Sequence, residues 1–240
     1  MSQVLKVENE EYDSFIKKVD GFLKSINKLI KNILDLNNHW DNSHDGRIDD
    51  IKLIRESIQS FLIIQEALAA SYDNLKLWEQ QKFESDEVKK QFQINRLYFL
   101  RVELETNFFF NIFIRFENFI RIISESLGIT NHNLNKRIDD LIDALAIDKE
   151  YKSLIDILIY TRNTMHTGGI RIQENNTVSY KGVDYKFEKG NTPEFWNFDS
   201  MIYFLNELFE LIYLMVSNDA IRNQLKIEHN YSNITFDYEN

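Results

Sequence analysis

Arg162 and His166 are the two side chains of this 240-residue chain whose type and spacing best suggest chemistry. They stand four residues apart within Tyr151 to Gly169, YKSLIDILIYTRNTMHTGG. On a helix that spacing puts both on one face, one turn from each other. A guanidinium is planar, permanently charged and able to grip an oxyanion with two parallel donors. An imidazole titrates near neutrality and can take or give a proton. Asn163, beside the arginine, adds an amide that can orient a ring or bind a polar ligand.

The surrounding stretch reads as an amphipathic helix. Tyr151, Ile155, Leu158 and Ile159 fall on one stripe at helical spacing, and Arg162 and His166 continue that stripe where apolar residues are expected. Thr167-Gly168-Gly169 ends it, because glycine enters the left-handed region without a Cβ clash. A cation and an imidazole on a core-facing stripe are costly to bury without partners. The helix end therefore opens into a cleft or meets a second subunit, and either arrangement makes a site.

Composition narrows the frame around this helix. Seven glycines and one proline favour long helices over a many-turned β fold, and 43% hydrophobic with 13% aromatic residues supplies a large core. Without cysteine there are no disulfides, thiolate zinc sites or cysteine nucleophiles. A net charge of −10 disfavours broad, non-specific binding to nucleic acid or anionic membrane, while leaving room for a small basic site. The N-terminal residues lack the basic-then-apolar order of a signal peptide, and no apolar run approaches the ~18 residues that span a bilayer. The expectation is a cytoplasmic protein with no membrane contact and no cofactor.

Taken in order, the pattern predicts a heptad-like helix over Glu10–Leu36, with Lys17, Lys24, Lys28 and Lys31 on its outer face. Those lysines read as a phosphate-binding ridge or, more simply, as a solvated face paired with Asp13, Asp20 and Asp35. A loop over Asn37–Gly46 carries His39, Asp41, His44 and Asp45, which are both possible metal ligands and ordinary turn formers; the reading assigns no metal. A second helix is expected over Asp49–Gln80 and a polar break over Gln81–Asp86, with Ser85 as N-cap. A long third helix then extends from Asp86 to Leu127. Its aromatic second half surrounds Glu117, for which Arg121 is the favoured partner, with Arg115 and the distant Arg162 as alternatives.

A shorter helix over Asn133–Ile147, with Asp148 as cap, leads into the motif helix. Residues 170–188 alternate like a β-hairpin or three-stranded meander. Thr192-Pro193 opens the final helical region, with a helix over Phe198–Leu225, and Lys226–Asn240 is a polar tail. The fold class is thus all-α with a small β insertion. Residues 1–91 form an N-terminal helical extension, 92–225 the core and 226–240 the tail. No phosphate-binding glycine loop, zinc spacing or serine-nucleophile motif is visible.

Arg162-Asn163-Thr164-Met165-His166, followed by Gly168-Gly169 and preceded by an aromatic helix bearing Glu117, resembles the HEPN superfamily over roughly residues 92–225. Its members are compact all-helical domains, usually dimeric. Many are metal-independent endoribonucleases in toxin–antitoxin, phage-defence and RNA-processing systems. Their mark is an arginine, often followed by asparagine, then a histidine near the end of a late core helix. Here the histidine follows the arginine more closely than the commonest family spacing. The resemblance implies catalytic roles for Arg162, Asn163 and His166, a supporting role for Glu117, a homodimer, RNA as substrate and an antitoxin or defence-system partner. It equally admits a non-catalytic dimeric interaction or RNA-binding module, and an unrelated helical interaction protein stands beside both.

Overall fold

With so few glycines and prolines to interrupt them, helices dominate the computed structural model, which describes residues 2–36, 40, 45–71 and 84–228. The order is α1 (Ser2–Asp35), α2 (Gly46–Ser71), α3 (Asp86–Ser126), α4 (Leu134–Ala144), α5 (Glu150–His166), β1 (Asn176–Tyr180), β2 (Val183–Phe187), α6 (Phe198–Ser217) and α7 (Asp219–Arg222). The protein is an all-α bundle with one small antiparallel hairpin. Helix α1 starts several residues ahead of the amphipathic pattern. The expected end of the second helix, including Trp78, and the candidate ligands His39, Asp41 and His44 lie outside the described residues.

Helix α3 buries a broad aromatic face in its second half: Phe108, Phe109, Phe113, Phe116 and Phe119 are all within the core, while Asn111 and Ile114 face out. Ser85 caps its start, accepting from the Val88 amide at 3.2 Å. Helix α2 lies along α3, and α1 packs on α2 and α6. Phe22 of α1 stacks on Phe209 of α6 with ring centroids 4.9 Å apart. Among the described residues, α6 is the one helix long and apolar enough to cross a bilayer, although no uninterrupted apolar run marks it. Phe204, Leu205, Leu208, Leu211 and Ile212 of α6 are buried in this core.

The hairpin has two strands rather than three. Lys181 and Gly182 join them with φ of +48° and +76°, the double left-handed turn that suits the twist of paired strands. Val178, Tyr180 and Phe187 face inward. The buried Tyr180 hydroxyl donates to Glu207 of α6 at 2.7 Å, so the hairpin is fastened to the bundle. Before the strands, Arg171 turns inward while Ile170 and Ile172 face out. Its guanidinium lies 5.2 Å from the Tyr160 ring and 5.4 Å from the Phe187 ring.

The last helical region is two helices, not one. Asn218 has extended backbone (φ −64°, ψ 135°), ends α6 and caps α7 by accepting from the Ala220 amide. Its side-chain amide also donates to the Leu145 carbonyl at 2.8 Å. Beyond α7 the chain is held by a buried ion pair. Asp45 and Arg47 are both fully buried, with Arg47 Nε donating to Asp45 Oδ1 at 2.8 Å. Arg47 Nη1 donates to the carbonyls of Ile221 and Gln224, each at 2.9 Å, and the Trp40 ring covers the guanidinium at 3.8 Å. Asp45, a candidate metal ligand in the sequence, instead neutralises an arginine. Of the polar stretch from Lys226, residues 226–228 lie against the start of α2, with the Gly46 amide donating to the Ile227 carbonyl at 2.8 Å. A Cβ on Gly46 would stand 2.7 Å from Ile122 Cγ2, which leaves glycine as the fitting residue.

Removing one member of a buried ion pair strands the other charge. Arg47→Met is expected to lower the unfolding free energy by about 3–5 kcal/mol, read by urea denaturation; a loss below about 1 kcal/mol would show the pair to be energetically idle.

Candidate functional site

The site grows from the end of α5. Asp148 accepts from the Glu150 amide at 2.9 Å and so caps the helix from one residue ahead of its first flanking position, Lys149. At the other end the Gly168 amide donates to the Met165 carbonyl and the Gly169 amide to the Thr164 carbonyl, both at 3.1 Å. This pair of bonds needs left-handed backbone just past the helix, and Gly168 and Gly169 have φ of +73° and +85°. The Thr167 hydroxyl bonds back to the Thr164 carbonyl at 2.8 Å, and Thr192 donates to the Gly169 carbonyl at 2.6 Å. The turn that carries His166 is thus tied down on both sides.

The buried arc of α5 is centred on Leu154, Ile157, Leu158, Thr161 and Thr164. Arg162 lies at its edge, half-buried, and His166 is exposed. The expectation that both continue the core stripe is corrected by the helix's rotation: two threonines take the inward positions. Thr164 satisfies its hydroxyl on the Tyr160 carbonyl at 2.9 Å, which lets a polar side chain sit there.

Arg162 Nη1 donates to Glu117 Oε1 in a short ion pair that bridges α5 and α3. The favoured local partner, Arg121, is not used. Arg121 donates to Asn118 Oδ1 at 3.2 Å and stands 3.7 Å from Glu125. Helical spacing made Arg121 the default; Glu117 instead points toward the facing helix. The guanidinium also lies 5.3 Å from the Phe113 ring. Its Nε is buried without a partner, and its Nη2 makes no hydrogen bond among the described residues.

His166 stacks on Phe110 of α3, with ring centroids 4.4 Å apart and planes 24° from parallel. Neither its nitrogens nor the Asn163 amide has a hydrogen-bond partner among the described residues. The structure therefore brings Glu117, Arg162 and His166 to one edge of the bundle, with Asn163 half-buried next to Arg162 and its side chain hydrogen-bonded to none of the three. The supports Phe110 and Phe113 were missed in the sequence. Their three- and four-residue spacing from one another and from Glu117 was the available signal. Among the described residues, no group of three or more His, Asp or Glu is placed to hold a metal.

Burial outweighs the attraction of Arg162, its hydrogen bond and the nearby His166, so the Glu117 carboxyl is held above its ordinary value of 4.5. Chemically, the arrangement offers one guanidinium edge for an oxyanion, one exposed imidazole for proton transfer and an acid that fixes the guanidinium.

Fold and site together define a helical bundle that presents an acid, a guanidinium and an imidazole at the junction of α3 and α5. Comparison with protein-family models, with curated proteins and with solved structures gave no match to this chain.

A carboxyl raised by burial holds its proton more tightly in the folded chain than in the unfolded one. Its contribution to stability is fully present below the unfolded value of about 4.5 and is lost as pH rises through the raised one. Glutamine keeps an acceptor for Arg162 without the charge. Glu117→Gln should therefore gain stability relative to the natural chain between about pH 4 and about pH 7, measured by urea unfolding at both; a difference that does not change with pH would refute the assignment.

Proposed function

We propose that this chain is a metal-independent endoribonuclease of the HEPN-like kind, working as a homodimer. The observation that carries the reading is the placement of His166, exposed and with no hydrogen-bond partner among the described residues, one helical turn from a guanidinium fixed by Glu117. In the reaction the 2′-oxygen attacks the adjacent phosphorus, the O2′–P bond forms and the P–O5′ bond breaks. The 2′-hydroxyl loses a proton and the departing 5′-oxygen gains one. His166 serves proton transfer, and Arg162 Nη2 faces the phosphoryl oxygens where charge develops. Asn163 orients the ring or holds the nucleotide. One protomer supplies a single imidazole, so a second copy supplies the other acid–base group. The role places the protein among toxin–antitoxin or phage-defence nucleases, acting in the cytoplasm.

One observation favours a second reading. Glu117 neutralises Arg162, which weakens the pull of this edge on phosphate. A non-catalytic HEPN-like dimeric interaction or RNA-binding module would use the same three side chains at an interface.

Purified protein is expected to cut single-stranded RNA in excess EDTA and leave 2′,3′-cyclic phosphate and 5′-hydroxyl ends. His166→Ala should abolish cutting with the fold intact, since the exposed ring contributes little to packing. Arg162→Ala should lower kcat by about 10²–10³. Cutting that survives His166→Ala would end the catalytic assignment, and no cutting of any RNA would favour the interaction module.

The same reading requires a dimer. Light scattering at micromolar concentration should give twice the mass of the 28.7 kDa chain; the mass of one chain would count against a paired site.

A further inference from the structure

The hairpin is a two-stranded sheet, so each of its strands has one edge outside the ladder. The two-residue turn at Lys181-Gly182 makes Tyr180 and Val183 a hydrogen-bonded pair, and alternation along the ladder makes Val178–Tyr185 and Asn176–Phe187 pairs of the same kind. Asp184 and Lys186 therefore turn their backbone N–H and C=O groups away from β1. Among the described residues these four groups have no hydrogen-bond partner. An unpaired strand edge is a template for another strand.

A groove of about 680 Å³ lies along β2. Asp184, Lys186 and Glu188 form one bank, and the chain from Asn191 to Phe195 forms the other. Its apolar part is the half-buried Phe195, edge-on to Tyr185 and Phe187 with centroids 5.0 and 5.3 Å apart. Its charged part is acidic: Asp184, Glu188 and Glu194 are exposed there beside a single cation, Lys186. None of the four is in an ion pair among the described residues. A second copy of the chain would bring three carboxylates to three, and like charges across a ladder are destabilising. A cationic strand meets the opposite field.

We infer that this edge takes an extended, lysine- or arginine-bearing segment of a partner protein as a third strand. Main-chain hydrogen bonds to Asp184 and Lys186 supply the affinity, and the three carboxylates select the charge. Side chains alternate along a strand, so cations recur at every second position with apolar residues between them, one of which meets Phe195. This docking needs neither RNA nor cleavage.

The probe is a short fluorescent peptide alternating lysine with valine, read by anisotropy against the natural chain. It should bind, and its counterpart with glutamate for lysine should not. Lys186→Pro removes one edge amide while sparing the ladder to β1, and should weaken binding by about tenfold. Lys186→Ala keeps that amide and removes the one cation, so binding should be undiminished. Glu194→Gln should weaken it by about threefold. Where Lys186→Pro misfolds, N-methylation of the peptide decides: of its two sets of alternate amides, methylating the one that faces β2 should abolish binding to the natural chain. Equal binding of the lysine and glutamate peptides, or no binding, overturns the inference. So does binding unchanged in Lys186→Pro or in both N-methylated peptides, and a loss in Lys186→Ala as large as in Lys186→Pro. Self-association that Lys186→Pro abolishes also overturns it, since a second copy would then hold the edge.

Discussion

The contact between Glu117 and Arg162 carries a constraint that shapes its surroundings. Helices α3 and α5 meet through side chains more than through close backbone approach. A guanidinium on a long stem can cross that gap, and a carboxylate at the far side gives it a partner. The attraction is favourable, yet the price of half-burying the acid exceeds it, which is why the acid's proton is held more tightly than in water. The pair fixes the direction of the guanidinium, and Phe113 and Phe110 add walls that hold Arg162 and His166 to one side.

The rest of the fold serves rigidity at that edge. The aromatic half of α3 holds the half-buried carboxylate at the edge of the core, and the glycine-ended α5 is tied through Thr167 and Thr192. The hairpin leans on α6 through Tyr180 and Glu207, so the chain leaving the site returns to the bundle at once. Near the C-terminal end of α3, the Asp45–Arg47 pair at the start of α2 collects the carbonyls of Ile221 and Gln224. Both ion pairs satisfy groups that hydrophobic packing cannot, but of the two only the Glu117 pair is partly open to solvent.

The all-helical class, the central place of α3, the hairpin and the glycine stop of α5 were legible in the sequence, because each depends on local periodicity or on a residue with a special backbone preference. The choice of partner for Glu117 was not. Spacing within a helix names Arg121, and only the tertiary arrangement brings Arg162 across. The division of the last helix at Asn218 was hidden because asparagine caps a helix as readily as it continues a polar face. The inward Arg171 reversed the ordinary rule for isoleucine and arginine, since two aromatic rings were waiting for the guanidinium. Asp45 looked like a ligand in a polar loop; its burial beside Arg47 depends on a C-terminal segment far away in sequence.

The central claim is that Glu117 and Arg162 act on each other across α3 and α5. A double-mutant cycle on unfolding free energy, with Glu117→Gln, Arg162→Met and both together, tests it directly. The account predicts a favourable coupling of about 0.5–3 kcal/mol at neutral pH. Single effects that add to within about 0.3 kcal/mol would contradict it.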